Sequence, residues 1–195
     1  MTEQTIAIGA DPRWVPLSLD GEVDADAEAT AREVLRIRGE DSPVTDRLEH
    51  VTALLAGLAH RARAAADEDD ALAAAFAFMP EQEPVPLAIA TLRVTASADS
   101  LDTAVDLVVA PPEERYDDPV VEPVSTPLGS AARVGQRLVA GDGRVSEWLG
   151  YVWHLPAVDR TVVLSTTFFD LVEAARWGDA FDDLARVIEL SGESA

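Results

Sequence analysis

The sequence predicts an α+β fold in which an antiparallel sheet is covered by helices. Three observations carry that prediction. Ser130 to Phe168 alternates in β fashion through two tight turns, two apolar stripes at helical spacing come before it, and one more stripe follows from about Leu171. Three strands in succession, rather than strands alternating with helices, argue for α+β instead of repeated βαβ units. At 195 residues, 48% of them hydrophobic, residues 1–195 have the length of a single domain and enough apolar side chain for a core.

"TIAIG" and "WVPLSLDG" read as short extended pieces, the second closing in an Asp20-Gly21 turn. From Asp24 to Arg38, Ala27, Ala31, Val34 and Ile37 recur at helical spacing, and Gly39 stands where a helix C-terminus favours glycine. Ser42 then reads as an N-cap and Pro43 as the first residue of a helix whose stripe is Val44, Leu48, Val51, Leu55, Leu58, Ala62 and Ala65. Together these segments form an N-terminal helical pair. The acidic run Asp67, Glu68, Asp69, Asp70 ends it.

"ALAAAFAFMP" is apolar on both alternating sets, as in a strand covered on both faces. "PLAIATLRVTA" puts Ala88, Ala90, Leu92, Val94 and Ala96 on one face, and "SLDTAVDLVVAPP" reads as a short helix stopped by Pro111 and Pro112. "EERYDDPVVEPVSTPLG" is proline-rich and acidic, a surface connection with room for one short strand. Three consecutive antiparallel strands follow, around Val134–Val139, Ser146–His154 and Thr161–Phe168. Gly141-Asp142-Gly143 supplies the first turn, because glycine tolerates the positive φ such turns need, and Pro156 to Asp159 the second. A final helix from about Leu171 to Glu189 carries Leu171, Ala174, Gly178, Phe181, Ala185 and Ile188 on one face, with Asp170 and Glu173 at capping-box spacing.

The middle strand of the three packs two tryptophans, a tyrosine and a histidine into Trp148–His154. Strand geometry puts Glu147, Leu149, Tyr151 and Trp153 on one face and Trp148, Gly150, Val152 and His154 on the other. Trp148 and Trp153 therefore point in opposite directions and form no single stacking platform. Both faces are half apolar, which suits a sheet with helices on two sides, and cross-strand pairing explains the cluster without a ligand.

Charge narrows the partners. Fifteen arginines, with no lysine, face 36 acidic residues, for a formal charge of −21. Such a surface repels nucleic acid and anionic membrane, and suits a basic protein or a cation, if it does more than maintain solubility. Asp67, Glu68, Asp69 and Asp70 are the candidate contact for a protein partner with a basic patch. The absence of cysteine excludes disulfides and thiolate chemistry. "MTEQTIAIGADPRW" lacks the basic and apolar regions of a secretory signal, so the expected compartment is the cytoplasm, in a GC-rich bacterium given the arginine and alanine usage.

Catalytic and metal motifs fare poorly. His50 and His60 stand ten residues apart on one helix, about three turns, too far to share a metal. His154 has Glu147 and Asp159 nearby in sequence, but a histidine at a strand end reads more simply as a polar tip. "DGEVDADAEAT" has Asp20, Glu22 and Asp24 at calcium-loop spacing, yet Ala25 replaces the turn glycine and Ala31 the bidentate glutamate. An acid-rich helix start explains it. No nucleophile-elbow, Walker, dinucleotide or zinc-protease motif occurs, so no catalytic, cofactor or metal residue is assigned.

"VEPVSTPLGSAARVGQRL", "GRVSEWLGYVWHLP", "DRTVVLSTTF" and the helix ending "FDDLARVIEL", with its Phe181-Asp182 pair, together resemble the PsbP-like α/β sandwich. The resemblance spans roughly Val120 to Leu190, with weaker agreement through Leu87 to Val109. That fold is shared by the photosystem extrinsic protein PsbP, a eukaryotic Ran-binding import factor and many actinobacterial proteins and lipoproteins. It implies a non-enzymatic binding or accessory protein acting on another macromolecule, and transfers no functional residue. The chain departs from it in its longer N-terminal helices and in lacking the lipoprotein cysteine. The helix-grip or START-like order also matches, apart from the extra helix near Leu101 to Val109, and implies a carrier holding an apolar small molecule between sheet and C-terminal helix. A hydrolase using carboxylates around His154 is the third reading. The volume beneath the C-terminal helix discriminates binder from carrier.

Overall fold

The computed structural model describes residues 4–40, 45–80 and 85–192. Its elements run β1 (Gln4–Ile8), β2 (Trp14–Leu17), α1 (Val23–Ile37), α2 (Thr45–Glu68), β3 (Leu72–Phe78), β4 (Ala88–Ala96), α3 (Leu101–Asp106), β5 (Val120–Thr126), β6 (Gly129–Val139), β7 (Val145–Leu155), β8 (Arg160–Phe168), α4 (Leu171–Arg186) and β9 (Ile188–Gly192). They fall into two compact units, Asp11–Leu92 and Met1–Ala10 with Arg93–Ala195. Among the described residues no helix is long and apolar enough to cross a membrane.

In the Asp11–Leu92 unit, α1 and α2 pack together against β2 and β3. Ala27, Ala31, Val34 and Leu35 of α1 meet Val51, Leu55, Leu58, Ala59 and Ala62 of α2 in one buried core. Ala65, on the expected stripe, is exposed instead. A strict seven-residue repeat drifts about 20° per heptad on a straight helix, so its far end rotates off the buried face. The expected cap at Ser42 and Pro43, with Val44, lies outside the described residues. Gly39 ends α1 at φ +82°, with its own N–H donating to the Arg36 carbonyl and Glu40 N–H to the Leu35 carbonyl, at 3.0 and 2.9 Å. That pairing is a Schellman motif, and its left-handed residue explains the glycine. The alanine-rich β3 is a strand as expected, because burial on both faces outweighs alanine's helical preference. Ala75 and Ala77 join the helical core, while Phe78 on the other face packs on Trp14 with ring centroids 4.8 Å apart.

In the other unit the strand order from the end of β4 is β8-β7-β6-β5. The expected hairpin strands are β6, β7 and β8, antiparallel neighbours in sequence order, with Trp153 opposite Ala131 and Val162. β6 starts earlier than expected, at Gly129, and the proline-rich connection contributes a seven-residue edge strand, β5. Pro123 is tolerated there because an edge strand leaves one row of N–H groups unused.

Three expectations are corrected. The short helix ends at Asp106 rather than at Pro111 and Pro112, since Gln136 reaches from β6 to hold the following chain. Its amide donates to the Val108 carbonyl at 3.0 Å, and its oxygen accepts the Ala110 N–H at 2.9 Å. The last helix stops at Arg186, short of Glu189, and Ile188 opens β9, which pairs with β1. Asp170 caps α4 by accepting the Val172 N–H at 2.7 Å, but Glu173 does not complete the capping box, because its carboxylate accepts Trp177 Nε1–H at 2.6 Å.

Candidate functional site

The sheet of the Met1–Ala10 and Arg93–Ala195 unit has two differently covered faces. On one face lie Ala131, Arg133, Leu149, Tyr151, Trp153, Val162, Leu164 and Phe168, and α4 packs here. Trp153, Phe168, Phe181, Leu164 and Leu184 are among the largest fully buried side chains. Tyr151 stacks on Trp153 at 5.6 Å and meets Phe181 at 5.8 Å, centroid to centroid. Leu149 fills the gap beside Gly178, its Cδ1 lying 3.8 Å from where a β-carbon on that glycine would stand. The polar ends of these rings are also held. Trp153 Nε1–H donates to Thr126 Oγ1 at 2.9 Å.

A charged network closes this layer. The Tyr151 hydroxyl and Arg133 Nε–H both donate to Asp182 Oδ1, at 2.9 and 2.8 Å. Burial, reinforced by that bond to the carboxylate, pushes the Tyr151 phenol well above its ordinary value. Burial opposes the charge on Arg133, but hydrogen bonding and attraction to Asp182 outweigh it and raise its pKa. The Phe181-Asp182 pair thus has two structural duties, one residue filling the interior and the next anchoring a phenol and a guanidinium.

The opposite face carries α3 on Ala132, Val134 and Val152, with Trp148 packed at the same cluster. Trp148 and Trp153 indeed lie on opposite faces. The Trp148 ring covers Gly150, where an added β-carbon would fall 2.1 Å from its Cη2. Ser100 caps α3 by accepting the Thr103 N–H at 3.1 Å, and Ala104 and Val105 anchor it. One such helix is about 10 Å wide, whereas four strands span about 14 Å, so α3 leaves the edge strand uncovered.

The uncovered strip is a groove of about 350 Å³ lined by Leu101, Asp102, Val105, Asp106, Val121, Pro123 and Ala132. Its floor is apolar, and two exposed carboxylates one helical turn apart form its rim. Neither Asp102 nor Asp106 has a hydrogen-bond or ion-pair partner for its carboxylate among the described residues. Asp102 stands in the first turn of α3, where an acid is favoured, but Asp106 is at the C-terminal end, where a carboxylate is disfavoured both by position and by its like-charged neighbour one turn back. Val121 on the floor is 46% exposed.

The acidic run expected to contact a partner lies in the other unit. Asp67 and Glu68 end α2, and Asp69 shapes the turn into β3, its Oδ1 accepting the Ala71 N–H at 3.2 Å. His50 is exposed, and His60 Nε2 lies 3.0 Å from Asp24 Oδ1. His154 is half-buried with its Nδ1 unbonded, and Glu147 cannot serve it because the two residues occupy opposite faces of β7. The groove escaped sequence reasoning because β5 and α3 meet only through the sheet. Its one sequence signal was the pair Asp102 and Asp106, four residues apart on a short helix. Comparison with family models, with curated proteins and with solved structures found no match.

Proposed function

We propose that this is a cytoplasmic, non-enzymatic binding or accessory protein that acts by contact with another macromolecule, and that its sheet with α3 and α4 is a PsbP-like sandwich. The observation that carries this reading is the filled layer beneath α4. A carrier of the helix-grip kind needs a cavity there of several hundred Å³. Trp153, Phe181, Leu164 and Leu184 occupy that layer instead, each under 2% exposed. What the surface offers is charge, −21 in all, and an open groove rather than an enclosed pocket. A field of that sign favours a basic protein as partner and speeds its encounter. The sandwich assignment is supported by helices on both sheet faces and by the roles of Phe181 and Asp182.

Native mass spectrometry of the protein isolated from its source cells tests the reading. The expected species are the bare chain and the chain with a second polypeptide. A small molecule retained at one per chain would favour the carrier and overturn the proposal.

A further inference from the structure

We propose that the groove between α3 and β5 is the docking site, and that its occupant is a segment of a partner protein in which an aliphatic or aromatic side chain is flanked by arginine or lysine. This rests on the reading of the protein as a macromolecule binder. The floor of Leu101, Val105, Val121, Pro123 and Ala132 offers apolar contact, and Asp102 and Asp106 offer two carboxylates without partners among the described residues. Four residues along a helix is about 6 Å, so the rim matches two cationic groups at that separation. Charge complementarity therefore selects a basic occupant, and a second copy of this chain, itself at −21, is repelled. Val121, 46% exposed on that floor, leaves open apolar surface beside the two carboxylates, which suits an apolar side chain of a basic polypeptide segment better than a small cation.

The mode of binding also follows. Strand addition along β5 requires an uninterrupted row of backbone donors, and Pro123 removes one. Glu122, next to it, adds an exposed charge on the edge. The partner is held by side chains entering the groove rather than by extending the sheet.

The test is selection of a phage-displayed random-peptide library against the full chain, followed by synthesis of the enriched peptides and amide-shift mapping. Enriched sequences are expected to place Arg or Lys around an apolar residue, and their shifts to cluster at Leu101–Asp106 and Val120–Ser125. The double substitution Asp102→Asn with Asp106→Asn should weaken binding about fivefold, as the loss of two exposed ion pairs implies. Val121→Gln should weaken it independently, through the apolar floor. Both variants alter exposed positions, and unchanged far-ultraviolet dichroism verifies their folding. Peptides lacking basic residues, shifts centred on Asp67–Asp70, or affinities indifferent to all three substitutions would overturn the assignment. So would octylamine saturating the groove as tightly as the peptides, or self-association through the same residues without peptide. If the groove fails while native mass spectra still contain a second polypeptide, the docking site is wrong and the binder reading stands. A small molecule in those spectra would instead defeat the binder reading itself.

Discussion

Truncating Phe181 probes the layer on which the functional reading depends. Its side chain is 0% exposed and lies against Tyr151, 5.8 Å between ring centroids. Phe181→Ala loses the transfer free energy of a buried aromatic, about 2 kcal/mol. The void that remains adds about 24 cal/mol per Å³, so a residual cavity of about 80 Å³ contributes roughly another 2 kcal/mol. Collapse is restricted on the sheet side, because Tyr151 is tied by its hydroxyl to Asp182 and stacked on Trp153. The expected cost is therefore about 4 kcal/mol. Urea denaturation measures it, read by tryptophan fluorescence and compared at constant m-value. A midpoint within error of the parent's would refute the packing, and with it the statement that no room exists beneath α4.

Asp182→Ala should cost about 2–3 kcal/mol, since it strands a half-buried guanidinium and a buried phenol; Asp182→Asn, which keeps an acceptor, should cost clearly less, and urea midpoints compare the two. Tyr151 gives a pH signature. Its folded pKa is raised above the ordinary 10.0, so its contribution is intact below pH 10 and is lost as pH rises further, by up to about 1.4 kcal/mol per pH unit. Alkaline denaturation in a Tyr116→Phe background should show that slope, and adding Tyr151→Phe should abolish it. Gly150→Ala should displace the Trp148 ring and cost about 1–3 kcal/mol, with a shift in tryptophan emission; a crystal structure with Trp148 unmoved would contradict this. Glu68→Arg places a cation at the C-terminal end of α2, which has no basic residue in its last turn, and should stabilise that unit by about 0.3–1 kcal/mol in thermal melts.

The strands β6, β7 and β8 were legible because alternation and turn chemistry are local signals. The buried positions of Phe181 and Ala185 were legible for the same reason, being spaced on one helical face. What failed depended on distant partners. Ile188 fits the apolar face of α4 and equally begins β9, and only pairing with Ile8 decides between them. β5 has strand-favouring Val120, Val121, Val124 and Thr126, but Pro123 interrupts them, most of the strand is exposed, and it lies in a proline-rich, acidic connection. Pairing with β6 is what makes it a seven-residue strand. Glu173 had the spacing of a capping box, but Trp177 one turn later competes for its carboxylate. The groove belongs to the same class. Asp102 and Val121 lie far apart in sequence, and α3 reaches the neighbourhood of β5 only because α3 packs on β6 and β7 while β5 pairs with β6.

Xenon binding tests the central claim most directly, since xenon enters apolar cavities that water leaves empty. Crystals of the parent protein under xenon pressure should show no xenon between Trp153 and α4, and the Phe181→Ala variant should show an atom in the space left by the ring. Xenon at that place in the parent protein would mean an internal apolar cavity, and the carrier reading would replace the one argued here.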